Sequence, residues 1–361
     1  MPASSLSPIG LSIAGVMSAT NVITDVARKK ALKERPLIPA TLWCKVFAAL
    51  VFGVALAVRI FEGLPPVIRD GGNLFGLAGV HLSPLGTFLI YLFIDVILVS
   101  IANLLYFLAL QVSPMSVCVP FLAFTPIFLI PTGFVMLGEL PRPLKLLGVI
   151  LIVVGSLVMH RRLFAVGWLA PVKGIIQERG SRYMLMVALI FSVTNPLEKK
   201  LVLMSDMFTQ AFAFGLGLCL FLIVLSVVKR ESASAGIRNN VLWVATAGAL
   251  DGIALLLQFA SYRYIDVVIT VSIKRAGIVL SVFSGWLFFR ERRITDKLIA
   301  ASVMFAGVLI LYLPLTAAQA AAMMVLTLIA MGAALRVTRQ AALEAASEDE
   351  GAAAPRKGIP R

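Results

Sequence analysis

Stretches of mostly apolar residues, each long enough to cross a bilayer, recur along this chain from Ile9 to about Leu335. A spanning helix needs about 20 such residues. Only 14% of the residues are charged, whereas an ordinary soluble domain carries about 25%. A soluble domain of this composition could not cover its surface with polar groups. The pattern therefore predicts an all-α, multi-pass membrane protein.

Ten spanning helices are predicted from the positions of the apolar stretches, and a probable extra C-terminal helix follows them. The ten cover residues 9–27, 38–61, 85–110, 115–138, 144–160, 183–204, 207–228, 240–262, 266–289 and 296–314, and the extra helix covers 317–335. The polar, Ala-rich tail over 340–361 is expected to be disordered. Residues 1–8 carry no Lys or Arg, so no cleavable signal is expected.

The net charge of +14 suggests nucleic acid at first sight, but the cations cluster between the apolar runs and are better explained by membrane topology. We therefore expect no nucleic-acid partner. The three cysteines and two histidines form no metal or disulfide framework, and HExxH, GxxxxGK and GxSxG are absent from the sequence. No enzymatic activity, metal or cofactor is predicted.

Membrane orientation is predicted from the loop charges. Counted with the three residues on either side, the loops after the odd-numbered helices hold 17 Lys and Arg, whereas the loops after the even-numbered helices hold 5. Lys and Arg accumulate on the cytoplasmic side. The expected location is therefore the cell (inner) membrane, with the N-terminus outside.

Two internal matches indicate a duplicated unit. "SATN" at 18–21 matches "SVTN" at 192–195, and "LLGVILIVVGSLVM" at 146–159 matches "LIAASVMFAGVLIL" at 298–311. Each copy contains five helices, an odd number, so the second copy must enter the membrane inverted. The predicted units are 1–160 and 161–315, with residues 316–361 outside the repeat. Inverted repeats are typical of secondary transporters, whose substrates bind near the midplane between the copies.

The stretches 121–159 and 273–313 share the order helix, short acidic turn and Gly-rich helix. This pattern resembles the EamA-like, ten-helix members of the drug/metabolite transporter (DMT) superfamily. The resemblance covers roughly residues 9–314. It implies a basket of ten helices around a central cavity that opens alternately to either side. It also implies a small-molecule substrate, a class that includes amino acids, sugars and phosphorylated metabolites in such transporters.

Lys274 and Arg275 lie side by side about a third of the way along the ninth predicted helix. An ion at the centre of a spanning helix costs about 2.5–3.5 kcal/mol on insertion scales. Adjacent residues differ by about 100° around the helix, so both cannot face lipid cheaply. They either pair with an acid, for which Asp251 and Asp95 are candidates, or line an anion site.

The Lys-Arg pair also resembles the ninth-helix motif of plastid-type sugar-phosphate/phosphate antiporters. That resemblance implies a third phosphate ligand, a Lys in the fourth helix, followed after two residues by an acid. Leu122 and Thr125 stand at these two positions here. Phosphate is therefore not specified, and the predicted substrate is a small anion or zwitterion.

The sixth helix contains "SVTNPLEKK" at 192–200, which aligns with "SATNVITD" in the first helix. Asn195 and Asn21 either contact substrate or bond between helices. Lys199 aligns with Asp25, and these opposite charges could pair across the pseudo-twofold axis. The alternative is that Glu198 and Lys199 end the helix among lipid head groups. The carbonyl freed by Pro196 could serve a substrate or an ion.

Other polar residues complete the predicted set. Tyr106 and Gln258 occupy equivalent positions in the two copies and are expected to line the cavity. Glu139 is expected to pair with Arg142 at the surface.

Together these residues predict a secondary transporter that exchanges or co-transports its substrate with a proton or a counter-substrate. Asp251, Asp95 and Glu198 are the candidate proton carriers. The alternative is a flippase for an anionic lipid head group.

Overall fold

The computed structural model describes residues 7–31, 36–69, 82–112, 119–158, 179–232, 237, 241–277, 295–313 and 315–332. Within these ranges every regular element is helical. The α-helices are α1 (Pro8–Ala31), α2 (Leu37–Phe61), α3 (Pro84–Val112), α4 (Thr125–Leu137), α5 (Pro143–Val158), α6 (Arg179–Met204), α7 (Met207–Val228), α8 (Val241–Ser261), α9 (Val267–Ala276), α10 (Thr295–Tyr312) and α11 (Ala317–Gly332).

The fourth predicted helix is not continuous. A 3₁₀ segment over Val119–Phe124 precedes α4. Pro126 has no N–H to donate to the Leu122 carbonyl one turn earlier. The Thr125 hydroxyl donates to that carbonyl instead, at 2.6 Å, which satisfies the freed oxygen. The predicted ninth helix is described only as far as Ala276, and its remainder to residue 289 lies outside the described residues.

The main helix contacts are symmetric between the two halves of the chain. Replacing each helix by its counterpart in the other half gives the same set of contacts. Helix α1 packs on α8, and its repeat counterpart α6 packs on α3. Helices α2 and α7, α4 and α9, and α5 and α10 pack with their own counterparts. This arrangement confirms two inverted five-helix repeats, because each of these interfaces either maps onto itself or has a partner in the other half.

Close helix approach depends on small residues at two interfaces. A Cβ at Gly148 would lie 2.8 Å from the Gly307 carbonyl oxygen, and one at Gly307 would lie 2.7 Å from the Gly148 oxygen. Only glycine therefore allows α5 and α10 to cross here. Between α2 and α8, a Cβ at Gly248 would lie 2.4 Å from the Cys44 carbonyl oxygen.

Contacts between helix ends define one face of the bundle. Gly10, at the start of α1, lies against Tyr264, which follows α8. Arg59 Nη1, near the end of α2, lies 3.1 Å from Asp206 Oδ1, at the start of α7. Lys145 Nζ, at the start of α5, donates to three carbonyls at the end of α10. We call this the first face, and the opposite face the second face.

The outer surface of the bundle is apolar. Leu50, Val54, Phe93, Leu220 and Val224 are all at least half exposed. Among the described residues, four helices are long and apolar enough to cross a membrane by length and composition, namely Ile38–Phe61, Pro84–Tyr106, Met207–Val228 and Val241–Ser261. Several shorter apolar helices accompany them, including α11, which packs through Ala320 beside Leu151 and Val303. The exterior therefore suits a lipid environment.

Candidate functional site

A cavity of about 230 Å³ lies at the centre of the bundle, between the two repeats. Residues from α1, α2, α3, α6, α7, α8, α9 and the 3₁₀ segment line it. All six predicted substrate-binding residues lie on its wall: Asn21, Tyr106, Asn195, Gln258, Lys274 and Arg275. Two of the predicted charge-pairing residues, Glu198 and Asp251, line it as well.

The Gln258 amide connects a cation to a carboxylate at the inner end of the cavity. Lys274 Nζ donates to Gln258 Oε1 at 2.7 Å. Gln258 Nε2 donates to Glu198 Oε2 at 3.0 Å. A change in the hydrogen bond between Lys274 and Gln258 can therefore alter the hydrogen bond between Gln258 and the Glu198 carboxylate.

Tyr262 and Asn195 complete this network. The Tyr262 hydroxyl lies 2.7 Å from Gln258 Nε2, 3.1 Å from Asn195 Oδ1 and 3.2 Å from Glu198 Oε2. The Asn195 amide nitrogen donates back to the Phe191 carbonyl of its own helix. Asn21, its counterpart in the first repeat, likewise donates to Met17 O, at 2.9 Å. Both asparagines thus bond their amide nitrogens within their own helices, and both line the cavity.

Arg275 reaches the broken start of α4. Its Nη2 lies 3.4 Å from Thr125 Oγ1, the same hydroxyl that donates to the Leu122 carbonyl. Thr125 thus accepts from Arg275 and donates to the backbone. On the other side of α9, Ser18 Oγ donates to the Ile273 carbonyl at 3.0 Å, and α1 packs closely at Gly277. These contacts hold both cations of α9 beside the cavity.

Asp251 forms its ion pairs with two cations from the first repeat rather than with Lys274 or Arg275. Its carboxylate lies 2.8 Å from Arg28 Nη2 and 2.7 Å from Lys45 Nζ. The close approach of α2 at Gly248 and Gly252 places Lys45 beside Asp251. Sequence analysis named Asp251 as one candidate partner for Lys274 or Arg275 but could not find Arg28 and Lys45, because these contacts depend on helix packing.

Asp95 is fully buried on α3, and neither of its oxygens has a hydrogen-bond partner among the described residues. The predicted pairing of Asp95 with the α9 cations is therefore also wrong. Asp95 is separated from the cavity wall by one helical turn, since Val99 on the same face of α3 lines the cavity.

Lys199 pairs with Glu139, at the turn after α4, and donates to the Ile265 carbonyl at 2.8 Å. Glu139 also accepts from the Val267 N–H at 3.0 Å. The predicted surface pairing of Glu139 with Arg142 was wrong, because left-handed Gly138, with φ of 68°, ends α4 and turns the chain toward α9. The described contacts of Lys199 do not include the suggested pair with Asp25. The side chain of Asp25 lies outside the described residues.

Helix α6 continues through Pro196 to Met204, so Glu198 and Lys199 do not end the helix among head groups. Both side chains are buried. Pro196 frees the Ser192 carbonyl, but the Thr132 hydroxyl of α4 lies 2.5 Å from that oxygen. The freed carbonyl is therefore bonded within the protein rather than offered to a substrate or an ion.

The cavity opens toward the second face. Near that face the side chains of Arg28, Lys45 and Asp251 are 27%, 17% and 19% exposed. Toward the first face, Gln258, Tyr262 and Glu198 are exposed by no more than 5%. The Lys199–Glu139 pair and the α8–α9 turn lie beyond them and close that end.

Positive charge dominates the cavity wall. Four cations line it, from Arg28, Lys45, Lys274 and Arg275, against the two acids Glu198 and Asp251. Among the described residues no group of three His, Cys, Asp or Glu side chains could hold a metal ion. The wall can therefore hold an anion or a zwitterion through charge-assisted hydrogen bonds.

Sequence analysis missed Arg28 and Lys45. Lys45 carried a usable signal, because it lies eight residues inside the apolar stretch that forms α2 and intramembrane cations mark functional sites. Arg28 belongs to the run "RKK" after the first apolar stretch, which was counted only for topology.

A bundle of two inverted repeats around a charged central cavity is typical of membrane transporters. The chain belongs to the EamA-like transporter family, whose family model matches residues 8–161 and 179–313. It is thus a membrane transporter of the DMT type, in a family of transporters rather than enzymes.

One similar solved structure, described as "Crystal structure of protein", aligns with a TM-score of 0.61 at 15% identity. The alignment covers 84% of this chain and 95% of that chain. At this identity the likeness shows the fold alone. No curated protein sequence matches the chain.

The Lys199–Glu139 ion pair is expected to hold the first face closed, and this expectation can be tested. Glu139→Gln keeps an acceptor for the Val267 N–H but removes the charge that holds Lys199. A hydrogen bond to a charged group contributes about 1.5–3 kcal/mol, so we expect roughly ten-fold more frequent opening at the first face. The measurement is the rate at which a membrane-impermeant maleimide labels Ile265→Cys, in a background without the three native cysteines.

Glu62→Gln is the matched control, because this exposed acid lies on the first face at the end of α2. It should leave the labelling rate unchanged. Equal labelling in the Glu139→Gln variant and the parent would show that the pair does not hold the face closed.

Proposed function

We propose that this protein is a secondary active transporter that carries a small anionic or zwitterionic metabolite through the central cavity. The observation that carries the proposal is the charge of the wall, where four cations face two acids. Burying an anion without such partners costs far more than it gains. Charge-assisted hydrogen bonds from Lys and Arg offset that cost.

The arrangement supports a simple binding mode. An anionic group enters from the second face, where Arg28 and Lys45 already hold Asp251. It then displaces the Gln258 amide oxygen from Lys274 and accepts hydrogen bonds from Lys274 and Arg275. A zwitterion would place its ammonium group near Glu198, which lines the same cavity. Leu122 stands where a third cation would be needed to grip phosphate fully.

The loop charges support an orientation in which the second face is cytoplasmic, in a cell (inner) membrane. In that orientation the structure is a conformation open to the cytoplasm. The inverted repeat supplies the opposite conformation, since exchanging the two halves' conformations would close the second face and open the first.

The test is solute uptake by proteoliposomes that contain the full chain. The panel is labelled inorganic phosphate, malate, glutamate, alanine and lysine, with protein-free liposomes as the control. We expect malate, glutamate or alanine to enter and lysine to stay out. Uptake of lysine alone would contradict the proposal. Movement of a labelled anionic lipid without any soluble solute would favour the flippase instead.

A further inference from the structure

The structure leaves Asp95 without an evident structural role. It lies in the middle of α3, which packs against α6 and α7. The residue has no exposed surface, and both carboxyl oxygens lack a hydrogen-bond partner among the described residues. Burying an acid costs desolvation free energy, and an acid without a partner forms no interaction that offsets this cost.

Its surroundings favour the neutral acid. An ionised carboxylate buried without donors is so unfavourable that the group takes up a proton instead. A neutral carboxyl group costs much less to bury. Asp95 is therefore protonated in this conformation.

The titratable groups around Asp95 strengthen this assignment. From α6, Glu198 lies near the level of Asp95, because the two helices pack together and Lys200 reaches Tyr91, one turn before Asp95 on α3. Lys200 of α6 is held one turn away, 2.9 Å from the Tyr91 hydroxyl. The one titratable side chain on α7 is Cys219. The described groups therefore bring a second acid to Asp95 and no cation into contact with it.

The two acids have different environments. Glu198 accepts hydrogen bonds from Gln258 and Tyr262 and lies on the cavity wall. Asp95 accepts no hydrogen bond from the described residues and does not line the cavity. Two neighbouring carboxyl groups do not both ionise readily, and the better-solvated one gives up its proton first. Of the two acids, Asp95 is therefore the one that retains a proton.

We propose that Asp95 is the proton-binding site of this transporter, and that Glu198 passes the proton between Asp95 and the cavity. This inference rests on the proposed function. Because Asp95 and Glu198 share no hydrogen bond here, the proton passes from an Asp95 oxygen through an entering water to Glu198 Oε2, which leaves Asp95 ionised. Glu198 then releases the proton to cavity water. A bound anion adds negative charge beside the pair and engages Lys274, so it favours the protonated acids. Anion and proton then bind together, which is symport.

The first test uses proteoliposomes and the panel anions phosphate, malate and glutamate. An inward proton gradient should drive accumulation by the parent protein. Asp95→Asn, which mimics the protonated acid, should lose this accumulation while keeping exchange of labelled for unlabelled anion within about two-fold of the parent. Glu62→Gln, an exposed acid, should behave as the parent. Accumulation that persists in the Asp95→Asn variant would overturn the inference.

A second measurement needs neither a transported anion nor a substitution. Infrared spectra of the reconstituted chain at pH 7 should contain the carbonyl band of a protonated carboxyl group, and ¹³C labelling of aspartate should shift it. A missing band, or one that does not shift, would overturn the inference even if an anion is transported. If the band shifts but neither a panel anion nor alanine is transported, the proposed function fails and the protonation of Asp95 stands.

Discussion

Lys274→Gln should lower the initial rate of uptake of a transported anion at least ten-fold at low substrate concentration. A hydrogen bond to a charged group contributes about 1.5–3 kcal/mol, and 1.4 kcal/mol corresponds to a factor of ten in binding. The substitution removes the charge but keeps a polar side chain beside Gln258, to which Lys274 now donates at 2.7 Å. We expect the same direction for Arg275→Gln and a larger loss in the double variant. The measurement is uptake in proteoliposomes at matched protein density.

The matched control is Arg263→Gln, because Arg263 is an exposed cation in the turn after α8, away from the cavity wall. It should transport as the parent does. Lys274→Arg, which keeps the charge, should retain more activity than the glutamine variant. If the double glutamine variant folds and still takes up anions at the parental rate, the anion site is not at Lys274 and Arg275.

Asp251→Asn should destabilise the protein by about 3 kcal/mol, the lower end of the range for breaking a buried ion pair. The lower end applies because the three side chains remain 17–27% exposed. Without the carboxylate, Arg28 and Lys45 would face each other across α8 with no counter-charge between them. The measurement is the thermal unfolding midpoint of the purified protein in detergent.

Lys45→Met in the Asp251→Asn background provides the internal check. Removing one of the two opposed cations should recover part of the lost stability, so the double variant should be more stable than the sum of the single effects indicates. Glu62→Gln, an exposed acid at the end of α2, should leave the midpoint unchanged. Strictly additive effects would show that the three charges do not act as one cluster.

The sequence alone was enough to predict the fold class and part of the cavity wall. Apolar stretches of spanning length predicted the helices, and the two internal matches predicted the inverted repeat. Cations inside an apolar helix must find polar surroundings, so Lys274 and Arg275 were placed beside the cavity without any structure. The 3₁₀ segment at the start of the fourth helix was not predicted, because it depends on Thr125 donating to the Leu122 carbonyl that Pro126 leaves free.

Only the tertiary structure decided which charges meet. Sequence reasoning offered Asp251 as a candidate partner for the α9 cations and paired Glu139 with Arg142. Their described partners are Arg28 and Lys45 in one case and Lys199 in the other. Hydropathy along the chain reports how deep a residue lies, because the bilayer acts on each helix separately. Contacts between helices far apart in sequence depend on close crossings such as the one at Gly248. Only these crossings bring Lys45 to Asp251 and leave Asp95 without a partner among the described residues.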